Sequence, residues 1–115
     1  MFAGNQQLDN LCVIVDHNGL QIDGTIDEVN SEMPIAEKFR AFKFHVIEVA
    51  DGNDMAPLRA AFDEARATKG KPTCIVAETV KGKGVSFMEN QVGWPGKAPN
   101  DEQYEQAMAD LAKEA

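Results

Sequence analysis

Three short apolar runs rich in β-branched residues, separated by two segments with helical periodicity, limit what this chain can fold into. The first run, Leu11-Cys12-Val13-Ile14-Val15, is stopped by the turn-forming Asp16-His17-Asn18-Gly19. Its unbroken apolar character suits a strand buried on both faces. After a mixed segment to Ser31, Ile35, Phe39 and Phe42 recur at i, i+4, i+7 and imply a helix with one inward face, capped by Ser31 or Asn30. Phe44, Val46, Ile47 and Val49 form a second strand, ended by Asp51-Gly52-Asn53. Asp54 is placed to cap a helix whose stripe is Leu58, Ala61, Phe62 and Ala65, with Lys69 at its end and Gly70 as the C′ residue. Pro72 opens a third strand, Thr73 to Glu78, followed by the loop Thr79-Val80-Lys81-Gly82-Lys83-Gly84. A last helix runs from a cap at Asn100 or Asp101 to about Ala112, marked by Tyr104, Ala107, Met108 and Leu111.

This alternation predicts an α/β fold: a small parallel sheet of three core strands joined by right-handed βαβ crossovers. Such a sheet needs cover on both faces, yet two crossovers moving in the same direction would cover only one. The final helix or another element would then have to cover the second face. The chain's 115 residues, 43% of them apolar, allow one compact domain and exclude two.

Eleven basic residues against nineteen acidic ones give a net charge of −8 at pH 7, which argues against nucleic acid or an anionic membrane as a partner. No stretch approaches the ~18 apolar residues of a membrane span, and the first ten residues lack a signal peptide's basic start and apolar middle. A cytoplasmic location is the expectation. Cys12 and Cys74 lie in apolar runs without zinc-site or CxxC spacing and read as buried, reduced thiols. Met1 to Leu8 reads like the last turns of a helix.

In open parallel sheets ligands sit beyond the carboxyl ends of the strands, and two loops leave such ends. In Asp16 to Gly24, an Asn18 amide oxygen and a nearby backbone carbonyl are hard, neutral donors of the kind Mg²⁺ accepts. The same residues also suit an ordinary Asx turn. In Thr79 to Gly84, exposed glycine N–H groups and two lysines suit a phosphate, or form only a mobile basic loop; the GxxxxGK[ST] spacing is absent. His45 reads as structural and His17 as solvated. Asp27-Glu28 and Asp101-Glu102 fit helix starts, and Trp94 a packing anchor. No Ser, Cys or His grouping has triad order, so no catalytic side chain is assigned.

LDNLCVIVDHNGLQIDGT, IAEKFRAFKFHVIEVADGND and ARATKGKPTCIVAETVKGKGVSFMENQVGWPGKAPNDEQYEQAM together resemble bacterial transketolase, particularly the separate N-terminal subunit found where that enzyme is split in two. The likeness runs over essentially the whole chain, and VDHNGLQIDG and TVKGKGVSFMEN carry it. It implies part of a thiamine diphosphate-binding fold, residues 1–115 being a single partial domain truncated at its N-terminal side. The family binds Mg²⁺ through an Asp of a GDG motif, a later Asn and a backbone carbonyl. Asn18 matches the Asn and Leu20 the carbonyl donor, while Ile22 and Lys81 fall where relatives place residues near the cofactor.

There are departures. The GDG motif would lie before Met1, and the glutamate that activates the thiamine ring belongs to another domain. Pro95 stands in Trp94-Pro95-Gly96 where relatives have His, and proline neither donates a hydrogen bond nor moves a proton. Lys43 stands where relatives commonly have Gly after a helix. The resemblance therefore implies a transketolase-type transferase, acting on sugar phosphates with thiamine diphosphate and Mg²⁺ in the pentose phosphate pathway. The isolated chain would be inactive, pairing with a C-terminal transketolase subunit or domains in a homo- or hetero-oligomer. The alternatives are a non-catalytic interaction module that pairs with itself or with other transketolase domains, and another thiamine diphosphate enzyme such as a 1-deoxyxylulose-phosphate synthase or a dehydrogenase E1 component.

Overall fold

The computed structural model describes residues 1–94 and 98–114, the side chain of Glu114 excepted. They form two compact units: Met1–His17 with Glu32–Thr79, and Asn18–Ser31 with Val80–Ala115. The first holds the predicted sheet, with β1 (Cys12–His17), β4 (His45–Val49) and β5 (Thr73–Glu78) in the order β1-β5-β4, all parallel. The short α1 (Phe2–Asn5), α3 (Ile35–Ala41) and α4 (Met55–Ala67) complete this unit. The second holds a two-stranded hairpin, β2 (Leu20–Gln21) and β3 (Gly24–Thr25), followed by α2 (Ile26–Val29) and α5 (Asp101–Glu114).

The strand order resolves the cover problem. The strand last in sequence is central, so the two crossovers run in opposite directions and their helices fall on opposite faces. On one face Ile35 and Phe39 of α3 pack with Cys74, Val76, Val13, Val15 and Val46, and Phe39 meets Phe44 edge-on at 5.2 Å. On the other, Leu58, Ala61 and Phe62 of α4 pack with Ile75, Val49 and Ile47. Asp54 caps α4 as expected, its Oδ1 accepting from the Ala56 N–H at 2.9 Å. Fully buried Pro72 precedes β5, and Lys43 adopts φ +69° after α3.

Several expectations need correction. β1 is an edge strand: α4 covers β4 and β5 but stops short of it, leaving Ile14 53% exposed. Cys12, on the same face, is exposed rather than buried, beside a groove of about 430 Å³ lined by Leu11, Phe62 and Ala65. α3 begins at Ile35 with Pro34 in the cap position and no side-chain cap, while Asn30 instead follows α2 as its C-cap. Phe42 ends outside the helix and exposed. α4 stops at Ala67, so Gly70, although at φ +74°, lies beyond the C′ position; its N–H donates to Asp9. In α5 the stripe Tyr104, Met108 and Leu111 is exposed. Among the described residues no helix is long and apolar enough to cross a membrane.

The two thiols are free and differ sharply. Burial, with the nearby Cys12 as a lesser cause, pushes the Cys74 thiol up to about 11, and burial raises Cys12 as well. A disulfide-exchange reagent at neutral pH is expected to titrate Cys12 in the folded protein and Cys74 only after urea unfolding. Two equivalents reacting at one rate in native buffer would contradict this burial pattern.

Candidate functional site

Asn18, Leu20 and Ile22 lie together on one short element, whose shape follows from local hydrogen bonding. The Leu20 N–H donates to Asn18 Oδ1 at 3.1 Å, an Asx turn, while Gly19 takes φ +72° between them. The Gly19 carbonyl accepts from the Ile26 N–H at 3.1 Å, and β2 pairs with β3 through Leu20 opposite Thr25 and Gln21 opposite Gly24. Ile22 is therefore carried at the hairpin tip, 82% exposed. A capping box closes the element: Thr25 Oγ1 accepts from the Glu28 N–H, and the Glu28 carboxylate accepts from the Thr25 N–H. The Thr25 hydroxyl, donating to the same carboxylate at 2.8 Å, and then the Thr25 N–H hold the Glu28 carboxyl below its usual range. Asp27 and Glu28 thus serve a helix start.

Lys81 belongs to the second loop of the same unit. Residues 80–91 fold back on themselves, with the Lys81 carbonyl accepting from the Asn90 N–H at 3.0 Å and the Gly82 carbonyl accepting from the Val85 N–H at 3.2 Å. The Gly84 N–H donates to Glu89 Oε1 at 2.9 Å, and Lys83 pairs with the same oxygen at 3.6 Å. This bonding gives the basic loop a defined course. Trp94 acts as the anchor its sequence context suggests: Nε1 donates to the Phe87 carbonyl at 3.0 Å and its ring lies 5.2 Å from Phe87. Pro95 lies outside the described residues.

Two polar arrangements escape a linear reading. His17 is not solvated: only 12% of its side chain is exposed, and Nδ1–H donates to the Glu78 carboxylate, 2.7 Å from each oxygen. Its Nε2 is buried without a hydrogen-bond partner, 4.0 Å from Glu32. Only the sheet register, which sets His17 beside Glu78, reveals this pair. His45 is structural as expected, 2.6 Å from Glu64 on α4. The second arrangement is Asp110 on α5. It accepts from the Ser86 N–H at 3.0 Å, Ser86 Oγ at 2.6 Å, Gln106 Nε2 at 2.8 Å and Lys113 Nζ at 3.1 Å. These donors, Ser86 foremost, hold its carboxyl far below the usual carboxylate range.

For a magnesium diphosphate the donors fit in kind. The hairpin offers neutral oxygens, the loop offers backbone amides and a cation. Among the described residues no group of three or more His, Cys, Asp and Glu side chains could hold a metal.

Residues 1–114 match the family described as transketolase, thiamine diphosphate binding domain. The chain is 39% identical over 114 residues to the 6-deoxy-6-sulfo-D-fructose transketolase subunit of a Clostridium species, covering 99% of this chain and 41% of that protein. It is 40% identical over 112 residues to an apulose-4-phosphate transketolase subunit of Phocaeicola vulgatus, covering 96% and 40%. Among solved structures it superposes on the transketolase of Campylobacter jejuni with a TM-score of 0.88 at 27% identity, covering 96% of this chain and 17% of that one. The transketolase of Pichia stipitis bound to sedoheptulose-7-phosphate gives 0.87 at 28%, covering 96% and 16%. The chain thus spans about two fifths of the curated relatives' length. With the parallel sheet, the Asn18 hairpin and the glycine-lysine loop all within the matched region, the chain belongs to the transketolase family, in its thiamine diphosphate-binding domain.

Proposed function

We propose that this chain supplies the neutral-oxygen part of a Mg²⁺–thiamine diphosphate anchor in an enzyme that moves a two-carbon ketol unit between sugar phosphates. Asn18 Oδ1 and the Leu20 carbonyl would hold the ion, Ile22 would lie against the cofactor, and Lys81 would offset diphosphate charge. When bound, the cofactor supplies the carbon nucleophile for the transfer. The chain's own groups bind and orient. The observation that carries the reading is the Asn18–Leu20 Asx turn, which fixes an amide oxygen and the following backbone within one hairpin of a thiamine diphosphate-binding family member.

Residues 1–115 contain no GDG tripeptide, so the reading also requires a carboxylate ligand of the GDG type from outside these residues, and a second transketolase subunit or domains to supply the rest of the active site. Turnover by these residues alone is not expected. Calorimetric titration with Mg²⁺ and thiamine diphosphate together is expected to give binding with Kd below about 1 mM, weakened at least about tenfold by Asn18→Ala. Absence of heat, or equal affinity in the variant, would remove the proposal. A second reading, a non-catalytic module that binds itself or other transketolase domains, draws on the open Ile14 face of β1 and the exposed apolar stripe of α5. Self-association in sedimentation, with no cofactor heat, is its signature.

A further inference from the structure

α5 inverts the usual logic of an amphipathic helix. Its apolar Tyr104, Met108 and Leu111 are exposed, whereas Asp110, a carboxylate, is only 8% exposed. Burying a carboxylate is unfavourable unless donors surround it. Here four do: two come from Gln106 and Lys113 on α5 itself, and two from Ser86 in the loop. That loop contains no regular strand or helix, and its internal bonds are short-range turns, the Lys81–Asn90 closure and the contacts of the Glu89 carboxylate with Gly84 and Lys83. Ser86 follows buried Val85 and is a point at which a side chain distant in sequence grips the loop.

We propose that Asp110 is the positioning residue of the Lys81–Asn90 loop, fixing through Ser86 the course of the backbone that carries Lys81 and the Gly82 and Gly84 amides before any anion arrives. α5 is then part of the anion-binding apparatus although none of its residues belongs to the candidate site. Ser86 is suited to this because it offers both a backbone and a hydroxyl donor to a single oxygen, Oδ2. Only the consequence for phosphate binding rests on the proposed function; the grip itself does not.

Amide hydrogen exchange read by mass spectrometry, with Trp94 emission as a reporter in the adjacent segment, tests this without a ligand. Asp110→Asn is expected to speed exchange across residues 82–89 by about tenfold or more and to shift Trp94 emission to the red, leaving β5 protection unchanged. Ser86→Ala should move both in the same direction by less, and Ser86→Thr, which keeps the hydroxyl, should stay near the wild type. Exchange within about twofold of wild type at 82–89 in both Asp110→Asn and Ser86→Ala would overturn the proposal. So would equal acceleration in β5 for both variants, since that marks a general loss of stability. Titration with inorganic pyrophosphate separates the two readings. A wild type that binds none, but whose loop loosens in Asp110→Asn, sinks the phosphate reading and leaves the positioning role intact.

Discussion

Replacing Ile75 with alanine is expected to cost about 2–5 kcal/mol, enough to leave much of the chain unfolded. Ile75 is 0% exposed at the middle of the central strand, opposite Ile14 on one side and Ile47 on the other, beneath Val49 and Ala61. Deleting its side chain opens a cavity where three strands and a helix meet, and a flanking strand cannot shift to fill it without breaking its pairing with β5. Small domains hold only about 5–15 kcal/mol in total, and this sheet has three strands. Urea denaturation followed by circular dichroism measures the loss. Ile14→Ala on the half-covered edge serves as the control and should cost less than about 1 kcal/mol. Similar midpoints for the two variants would show that the central strand is not where stability resides.

The second large effect is expected at Gly82. Its φ of +74° disfavours any side chain, and an added Cβ would sit 2.6 Å from the Met88 carbonyl oxygen and 2.7 Å from its carbon, which are backbone atoms that cannot swing away. Gly70 has the same φ but open space around it. Gly70→Ala therefore isolates the conformational penalty, about 1–2 kcal/mol, whereas Gly82→Ala adds a steric one. The expected result is a Gly82→Ala protein that keeps its far-ultraviolet spectrum, because the sheet lies in the other unit, but loses the loop's exchange protection and at least about tenfold in pyrophosphate affinity. If Gly82→Ala matches Gly70→Ala in both respects, the turn relaxes more easily than its contacts imply.

Local signals in the sequence were faithful where one element decides its own structure. The Asp54 cap, the Leu58–Ala65 stripe, Pro72 before β5 and the Asn18 turn each depend on residues within a few positions of one another, and each is found where the pattern puts it. The strand order is different. Periodicity marks a strand but carries no record of which neighbour it takes, so neither the central place of β5 nor the half-bare face of β1 could be read from Leu11–Val15. Asp110 and His17 fail to announce themselves for a related reason. A carboxylate in a helix and a histidine before a turn normally face water, and their partners lie 24 and 61 residues away. Ser31 and Asn30 misled because a good cap residue is used only if the chain enters the helix there, and Pro34 sets the entry instead.

The order β1-β5-β4 has a consequence for how the fold is reached. Neither outer strand pairs with the other, and each finds its ladder only in β5. A chain emerging from the ribosome therefore carries two unpaired apolar strands until Thr73–Glu78 arrives, when both ladders close together across long loops. Sheet formation becomes one late event. A chain ending at Lys71 is expected to retain nascent α4 helix but no parallel sheet, with β1 and β4 open to aggregation for as long as β5 is missing.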